Sequence, residues 1–207
     1  HALVKSPPRI TVAAAVIERP DGHYLLGRRA PAAVYAGHWE FPGGKVEAGE
    51  TPRDALTREL KEELEIEVLR ATPWIVREHV YEHAHVRLHF FRVPAWRGEL
   101  RDHVHAALEW QRPGATTVAP MLPANAPVLA ALALPDFHGI THAHEIGVPS
   151  QLTLLEHALK DGLRLVQLRE GVKQAWSNID VILVQRHDEL PKLVESCRRY
   201  MQYEKET

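Results

Sequence analysis

The chain has 207 residues, 45% of them hydrophobic, with a net charge of −2 and a single cysteine, Cys197. That length allows one or two domains, and a near-neutral balance argues against a basic surface built for nucleic-acid polymers. One cysteine excludes an internal disulfide framework and fits a reducing cytoplasm; no apolar run reaches the roughly 18 residues of a membrane span, and no signal peptide is visible.

His1 in place of methionine reads as a trimmed or tagged start, and residues 1–8 read as a loose terminus. Residues 9–18 (RITVAAAVIE) are apolar and β-branched, which predicts a buried strand. A turn at residues 19–22 (RPDG) and a second strand over residues 23–29 predict a hairpin. Arg28 and Arg29 close that strand. A pair of arginines is either solvated surface or a bidentate contact for phosphate oxygens. Trp39, Glu40, Phe41 and Pro42 then lead into Gly43-Gly44, where bare backbone can approach a ligand closely.

The next segment (GETPRDALTRELKEELEI) predicts a helix. Thr51 can cap it, Pro52 suits its first turn, and Asp54 stands where a capping-box acid would stand. Leu56, Leu60 and Leu64 recur every four residues and give it a buried stripe. Glu59, Glu62 and Glu63 fall beside the stripe within an arc of roughly 100°, so their carboxylates are expected to converge. Like charges at that spacing destabilise a helix, and a hard divalent cation with oxygen ligands offsets the repulsion. Glu50 lies near the positive end of the helix. A metal cage, a bare backbone and a spare carboxylate suit phosphoryl chemistry, in which metal neutralises charge and a carboxylate orients water.

Residues 67–70 and 73–81 read as two strands, and residues 85–93 as another with Val86, Leu88 and Phe90 on one face. His83, His85 and His89 share the opposite face. Evenly spaced histidines can hold zinc, but no cysteine or acid is interleaved, and a partly exposed face lining a cleft is the better reading. Residues 95–99 read as a turn and Glu109-Trp110 as the start of a further strand. A segment PANAP precedes a short apolar helix over residues 128–134.

Gly44, Glu50, Arg58, Glu59, Leu60, Glu62, Glu63 and Ile66 match the Nudix box, G-x5-E-x7-R-E-U-x-E-E-x-G-U, with Glu65 standing where the late glycine belongs. With GRRAPAAVYAGHWEFPGGKVEAGET and PANAP, residues 9–134 resemble the MutT-type 8-oxo-dGTP diphosphatases. The resemblance implies an α/β fold, the Nudix α/β/α sandwich with a mixed sheet. It implies a pyrophosphohydrolase of nucleoside triphosphates that uses Mg²⁺, with Mn²⁺ as a substitute. Glu59, Glu62 and Glu63 would bind the metal, and Gly43 or Gly44 would add a carbonyl. Glu59 or Glu50 would orient or deprotonate water, and Arg58 would hold the glutamates. Arg28, Arg29, Glu40 and Lys45 are expected at the substrate, with Phe41 and Asn125 at the base. An amide can pair with a purine edge, although Asn125 also suits a helix cap. Val104 stands where the family often has a further metal-binding glutamate; Glu99, Asp102 and His105 are its neighbours. A nucleotide is the implied partner, with no membrane. The alternatives are a Nudix hydrolase of another nucleoside diphosphate derivative, or a non-catalytic interaction module.

Composition resets after residue 134, which suggests domains at 1–134, 135–171 and 172–207. Residues 136–170 read strand–helix–strand and resemble the opening βαβ of thiamine-phosphate synthase, which implies substrate-binding roles for Gln167 and Arg169. A complete barrel needs roughly 200 residues, so no synthase activity is expected. Residues 172–207 resemble a piece of LemA, which implies an α-helical tail striped by Trp176, Ile179, Leu183, Leu190, Leu193, Val194, Cys197 and Met201. A lone βαβ unit plus a helix cannot bury a full core alone. It is expected to pack on the Nudix domain, to pair two copies as a homodimer, or to stay partly disordered.

Overall fold

The computed structural model describes residues 8–82, 84–168 and 180–183. The expectations for residues 1–7, His83, Arg169, Trp176, Ile179, Leu190, Leu193, Val194, Cys197 and Met201 lie outside the described residues. The chain divides into two units, His1–Ala133 and Leu134–Thr207.

In the first unit, β1 (Arg9–Ile17) is the hub of a four-stranded sheet. It pairs antiparallel with β4 (Gly43–Lys45) and parallel with β6 (His85–Arg97), whose far side takes β5 (Glu67–Val80). The second sheet places β2 (Tyr24–Arg28) between β3 (Trp39–Glu40) and β7 (Ala107–Gln111), all antiparallel. The predicted hairpin of the first two strands is therefore wrong. β1 and β2 meet only at an isolated bridge, Glu18 to Tyr24, and the turn at Arg19–Gly22 passes the chain from one sheet to the other. Residues 67–80 form one strand rather than two, and register shifts near Arg70, Thr72 and Ile75 mark the irregularity.

Alternation along β1 builds the core on both sides. Ala13, Ala15 and Ile17 face α1 (Pro52–Leu64), with its fully buried Leu56, Leu60 and Leu64. Burying each leucine contributes about 1.5–3 kcal/mol. Ala14 and Val16 face the other way, among Tyr24, Leu26, Phe41, Phe90 and Val128 of α2 (Ala126–Leu132). The α/β sandwich with a mixed sheet is thus the fold of this unit.

The helix begins and ends as capping chemistry dictates. Thr51 accepts the N–H of Asp54 at 3.2 Å, and Asp54 accepts the N–H of Thr51 at 3.3 Å. Glu65 stops the helix in the left-handed conformation, at φ 57°. Its N–H still donates to the Leu60 and Lys61 carbonyls.

In the second unit, β8 (His138–Ile140) and β9 (Leu165–Leu168) run parallel, with α3 (Ala143–Ile146) and α4 (Val148–Lys160) between them in sequence. The expected helical tail fails at residues 180–183. Asp180–Leu183 is strand β10, antiparallel to β9, as the β-branched pair Val181-Ile182 favours. Among the described residues no helix is long and apolar enough to cross a membrane.

Candidate active site

The two glycines at the start of β4 are held by steric necessity. Gly43 lies at φ 137°, and a Cβ there would sit 2.2 Å from the Ala13 carbonyl oxygen. A Cβ on Gly44 would sit 2.2 Å from the carboxyl carbon of Glu59. The sheet edge and α1 therefore touch through bare backbone, and Glu59 rests on it. Beside it, the Gly43 N–H donates to Glu63 Oε2 at 3.1 Å.

Arg58 ties the acids together. Its Nε and Nη2 donate to the two oxygens of Glu50 at 2.8 and 3.0 Å, a bidentate fork. Nη2 also donates to the Lys45 carbonyl at 3.0 Å. Nη1 donates to Glu59 at 2.9 Å and to Glu62 at 3.4 Å. Hydrogen bonds from Arg58 hold the Glu50 carboxyl at about 2, well below the usual carboxylate range. Glu63 moves the other way. Burial, opposed by the Gly43 hydrogen bond and helped by the charges of Glu59, Glu40 and Asp102, pushes it up to about 8. Burial likewise raises Glu40, against the pull of Arg29.

The expected convergence of all three helical glutamates needs correction. Among the described residues no three His, Cys, Asp or Glu side chains are grouped to hold one ion. Glu59 is 17% exposed and lies inward, whereas Glu62 is 61% exposed on the outer side of Arg58. An arc of positions on a helix fixes where side chains start. The guanidinium and the Gly43 N–H then decide where their carboxylates finish.

A cavity of about 300 Å³ adjoins the diglycine corner. Arg29, Glu40, Phe41, Gly43, Gly44, Lys45 and Asn125 all line it. Arg29 is bound to Glu40 through Nη1 and to the Val34 carbonyl through Nε at 2.7 Å. Phe41 is buried, edge-on to Phe90 at 5.6 Å. Arg28 does not line the cavity: it is exposed at the end of β2, with its guanidinium 6.0 Å from the Trp39 ring. Asn125 occupies the N-cap position of α2 yet makes no side-chain cap bond, and it is only 3% exposed. Its backbone N–H donates to Leu122, whose own N–H donates to Trp39 beside Glu40, so β3 positions the amide.

The connection from β6 to β7 is strapped to the end of α1. The N–H groups of Arg101 and His103 donate to the Leu64 and Glu63 carbonyls at 3.0 Å each. Glu65 is paired with His103 at 2.7 Å and Arg101 at 3.7 Å. The strap carries Asp102, whose charge raises Glu63, and His105, which lowers Glu40 when its ring is protonated. The His105 ring is buried, Nδ1 lies 3.0 Å from Asp102 Oδ1, and a Cβ on Gly27 would collide with it. Val104 and Glu99 are exposed. His85 and His89 do not line the cavity, which takes Val86 and Leu88 instead, so the histidine face is not the cleft face. Tyr35 and Tyr81 do line it. Neither stood out in the sequence, where an aromatic within the small residues of PAAVYAG was the only signal for Tyr35.

A family model described as NUDIX domain matches residues 13–131. A CTP pyrophosphohydrolase of Escherichia coli (strain K12) is 44% identical over 128 residues, 59% of this chain and 90% of that protein. An 8-oxo-dGTP diphosphatase of the same strain is 34% identical over 124 residues, 60% of this chain and 96% of that protein. Among solved structures, a MutT NUDIX hydrolase from Burkholderia pseudomallei aligns with a TM-score of 0.54 at 33% identity, over 59% of this chain and 96% of that one. The E. coli ORF135 protein aligns with a TM-score of 0.52 at 40% identity, over 63% and 92%.

Proposed function

We propose that this chain, which belongs to the NUDIX domain family, is a Mg²⁺-dependent nucleoside-triphosphate pyrophosphohydrolase that converts 8-oxo-dGTP to 8-oxo-dGMP and pyrophosphate. The observation that carries the reading is adjacency. A cavity with a buried amide, Asn125, and an aromatic, Phe41, opens onto Gly43-Gly44, where Glu59 and Glu63 lie. Its volume is at the lower end of the range for small-molecule sites. Relatives named as 8-oxo-dGTP diphosphatases support the choice of base.

The donor set fits a hard divalent cation. It is all oxygen, and Glu63, raised first by burial and then by the charges of Glu59, Glu40 and Asp102, is a carboxyl whose ionised form a bound cation would stabilise. Glu59, Glu62 and Glu63 would hold Mg²⁺ or Mn²⁺, with a carbonyl of Gly43 or Gly44; Glu62 would first turn away from Arg58. When bound, the ion neutralises charge on the phosphate oxygens.

The chain's own groups do the rest. Arg29 and Lys45, lining the cavity beside the corner, hold phosphate oxygens. Water adds to one phosphorus, the bond to the bridging oxygen breaks, and pyrophosphate leaves. Glu59 takes the proton of that water on a carboxylate oxygen. Glu50 is less suited, because both of its oxygens accept from Arg58. Arg58 fixes Glu50 and Glu59 without touching substrate. On this reading the enzyme works in the cytoplasm, on the nucleotide pool.

The experiment is pyrophosphate release by the full chain across a nucleotide panel, with and without Mg²⁺. Release from 8-oxo-dGTP in preference to dGTP, and only with the metal, is expected. The identity to the CTP pyrophosphohydrolase favours a second reading, the same chemistry on CTP. Preference for CTP in the panel would establish it, and silence on every nucleotide would sink both.

A further inference from the structure

Residues 30–37 connect β2 to β3, and Arg29 fixes this loop from three directions. Its N–H donates to His38 O at 2.9 Å, its carbonyl accepts the Gly37 N–H at 3.0 Å, and its Nε donates to Val34 O. The loop so held sets Tyr35 at φ 59°, a left-handed backbone that bulky residues rarely adopt. Strain of this kind persists only where the surroundings over-determine it, and it collects at ligand clamps.

The Tyr35 ring is braced rather than buried. It lines the cavity and the residue is 37% exposed. Tyr81 lies 5.5 Å from it, His38 stands edge-on at 5.3 Å, and His79 backs Tyr81 at 4.4 Å. Four rings in series thus hold one aromatic surface at the cavity. Recognition of a flat base needs something on its edge and something on its face. The buried Asn125 amide in the same cavity supplies edge chemistry.

We infer that Tyr35 is a base-binding residue whose ring stacks on the nucleobase; this rests on the reading of the site as one for nucleoside triphosphates. Every base has a π-face, so stacking raises affinity for a base as such, while selection among bases falls to Asn125. The Arg29 clamp makes the ring available before substrate arrives, so little ordering cost is met on binding.

The test compares the full-length wild type, Tyr35→Ala and Tyr35→Phe with Mg²⁺ and the best nucleotide of the panel. Inorganic tripolyphosphate, which has no base, serves as competitive inhibitor. Tyr35→Ala should raise KM about tenfold or more, leave kcat within about twofold, and leave inhibition by tripolyphosphate unchanged; Tyr35→Phe should behave as wild type. An unchanged KM in Tyr35→Ala overturns the inference, and so does a parallel loss of affinity for tripolyphosphate, which would mean the loop had merely been deformed. Both outcomes leave wild-type turnover intact. A wild type inactive on every nucleotide overturns the underlying reading as well.

Discussion

The two adjacent glycines give the sharpest prediction, because one methyl group added at neighbouring positions meets different neighbours. At Gly44 the new Cβ falls 2.2 Å from the Glu59 carboxyl carbon, where ordinary contact begins at 3.4 Å. Something must give by about 1 Å, and the free end of a side chain gives easily. The Gly44→Ala protein should fold with a loss of about 1 kcal/mol or less, the cost of a displaced rotamer. Its Glu59 carboxylate, however, is pushed off the corner. A misplacement of that size at a reacting group costs about 100-fold, so kcat/KM should fall by about that factor and the Mg²⁺ requirement should rise. At Gly43 the methyl meets the Ala13 carbonyl of β1, and φ is 137°. Backbone does not move aside without breaking the β1–β4 pairing, so Gly43→Ala should lose about 3 kcal/mol of stability. Urea unfolding and pyrophosphate release on both variants make the measurement. Wild-type turnover in Gly44→Ala, or equal destabilisation of the two, would refute the argument.

Glu62→Gln should cost about two orders of magnitude in turnover with its unfolding midpoint unchanged, since the side chain is largely exposed; near-normal turnover would remove it from the metal set. Asn125→Ala should narrow the preference for 8-oxo-dGTP over dGTP by about tenfold, measured as a ratio of kcat/KM values. Glu65→Gly should be about 1 kcal/mol more stable than Glu65→Ala in urea, because only glycine occupies φ 57° without strain while both lose the exposed ion pairs. In EDTA, a carboxyl at about 8 instead of 4.5 binds its proton more tightly folded than unfolded. The stability it contributes is complete below pH 4.5 and is lost as pH rises through 8. The apo protein should therefore unfold more easily at pH 8.5 than at pH 6, and Glu63→Gln should flatten that slope, as read by thermal melting.

Local spacing made much of this site legible. Thr51, Pro52, Asp54 and the leucines at four-residue intervals determine the thirteen-residue helix from local signals alone, and the structure has it there. Gly43-Gly44 announced a close approach, and Ala13 and Glu59 are what approaches. Pairings over long sequence distance were not legible. The turn at residues 19–22 looks like a hairpin turn because hairpin and sheet-crossing turns use the same residues, and only the parallel match of Ile10 to Val86 shows where β1 belongs. The outward lie of Glu62 was hidden for a similar reason: helical angles do not reveal which acids a neighbouring guanidinium will claim. Tyr35 escaped notice because its role depends on three bonds from Arg29, none of which leaves a pattern in a loop of small residues.

Glu65 has one more consequence. Where its relatives' signature calls for glycine, this chain ends its helix with an acid gripped by His103 and Arg101, next to Asp102 and His105. The usual residue would have made the stop self-sufficient; this one makes it a joint responsibility of two segments far apart in sequence. A mutation on that distant strap should therefore fray the helix that bears the glutamates, and a search that insists on the glycine would pass this protein by.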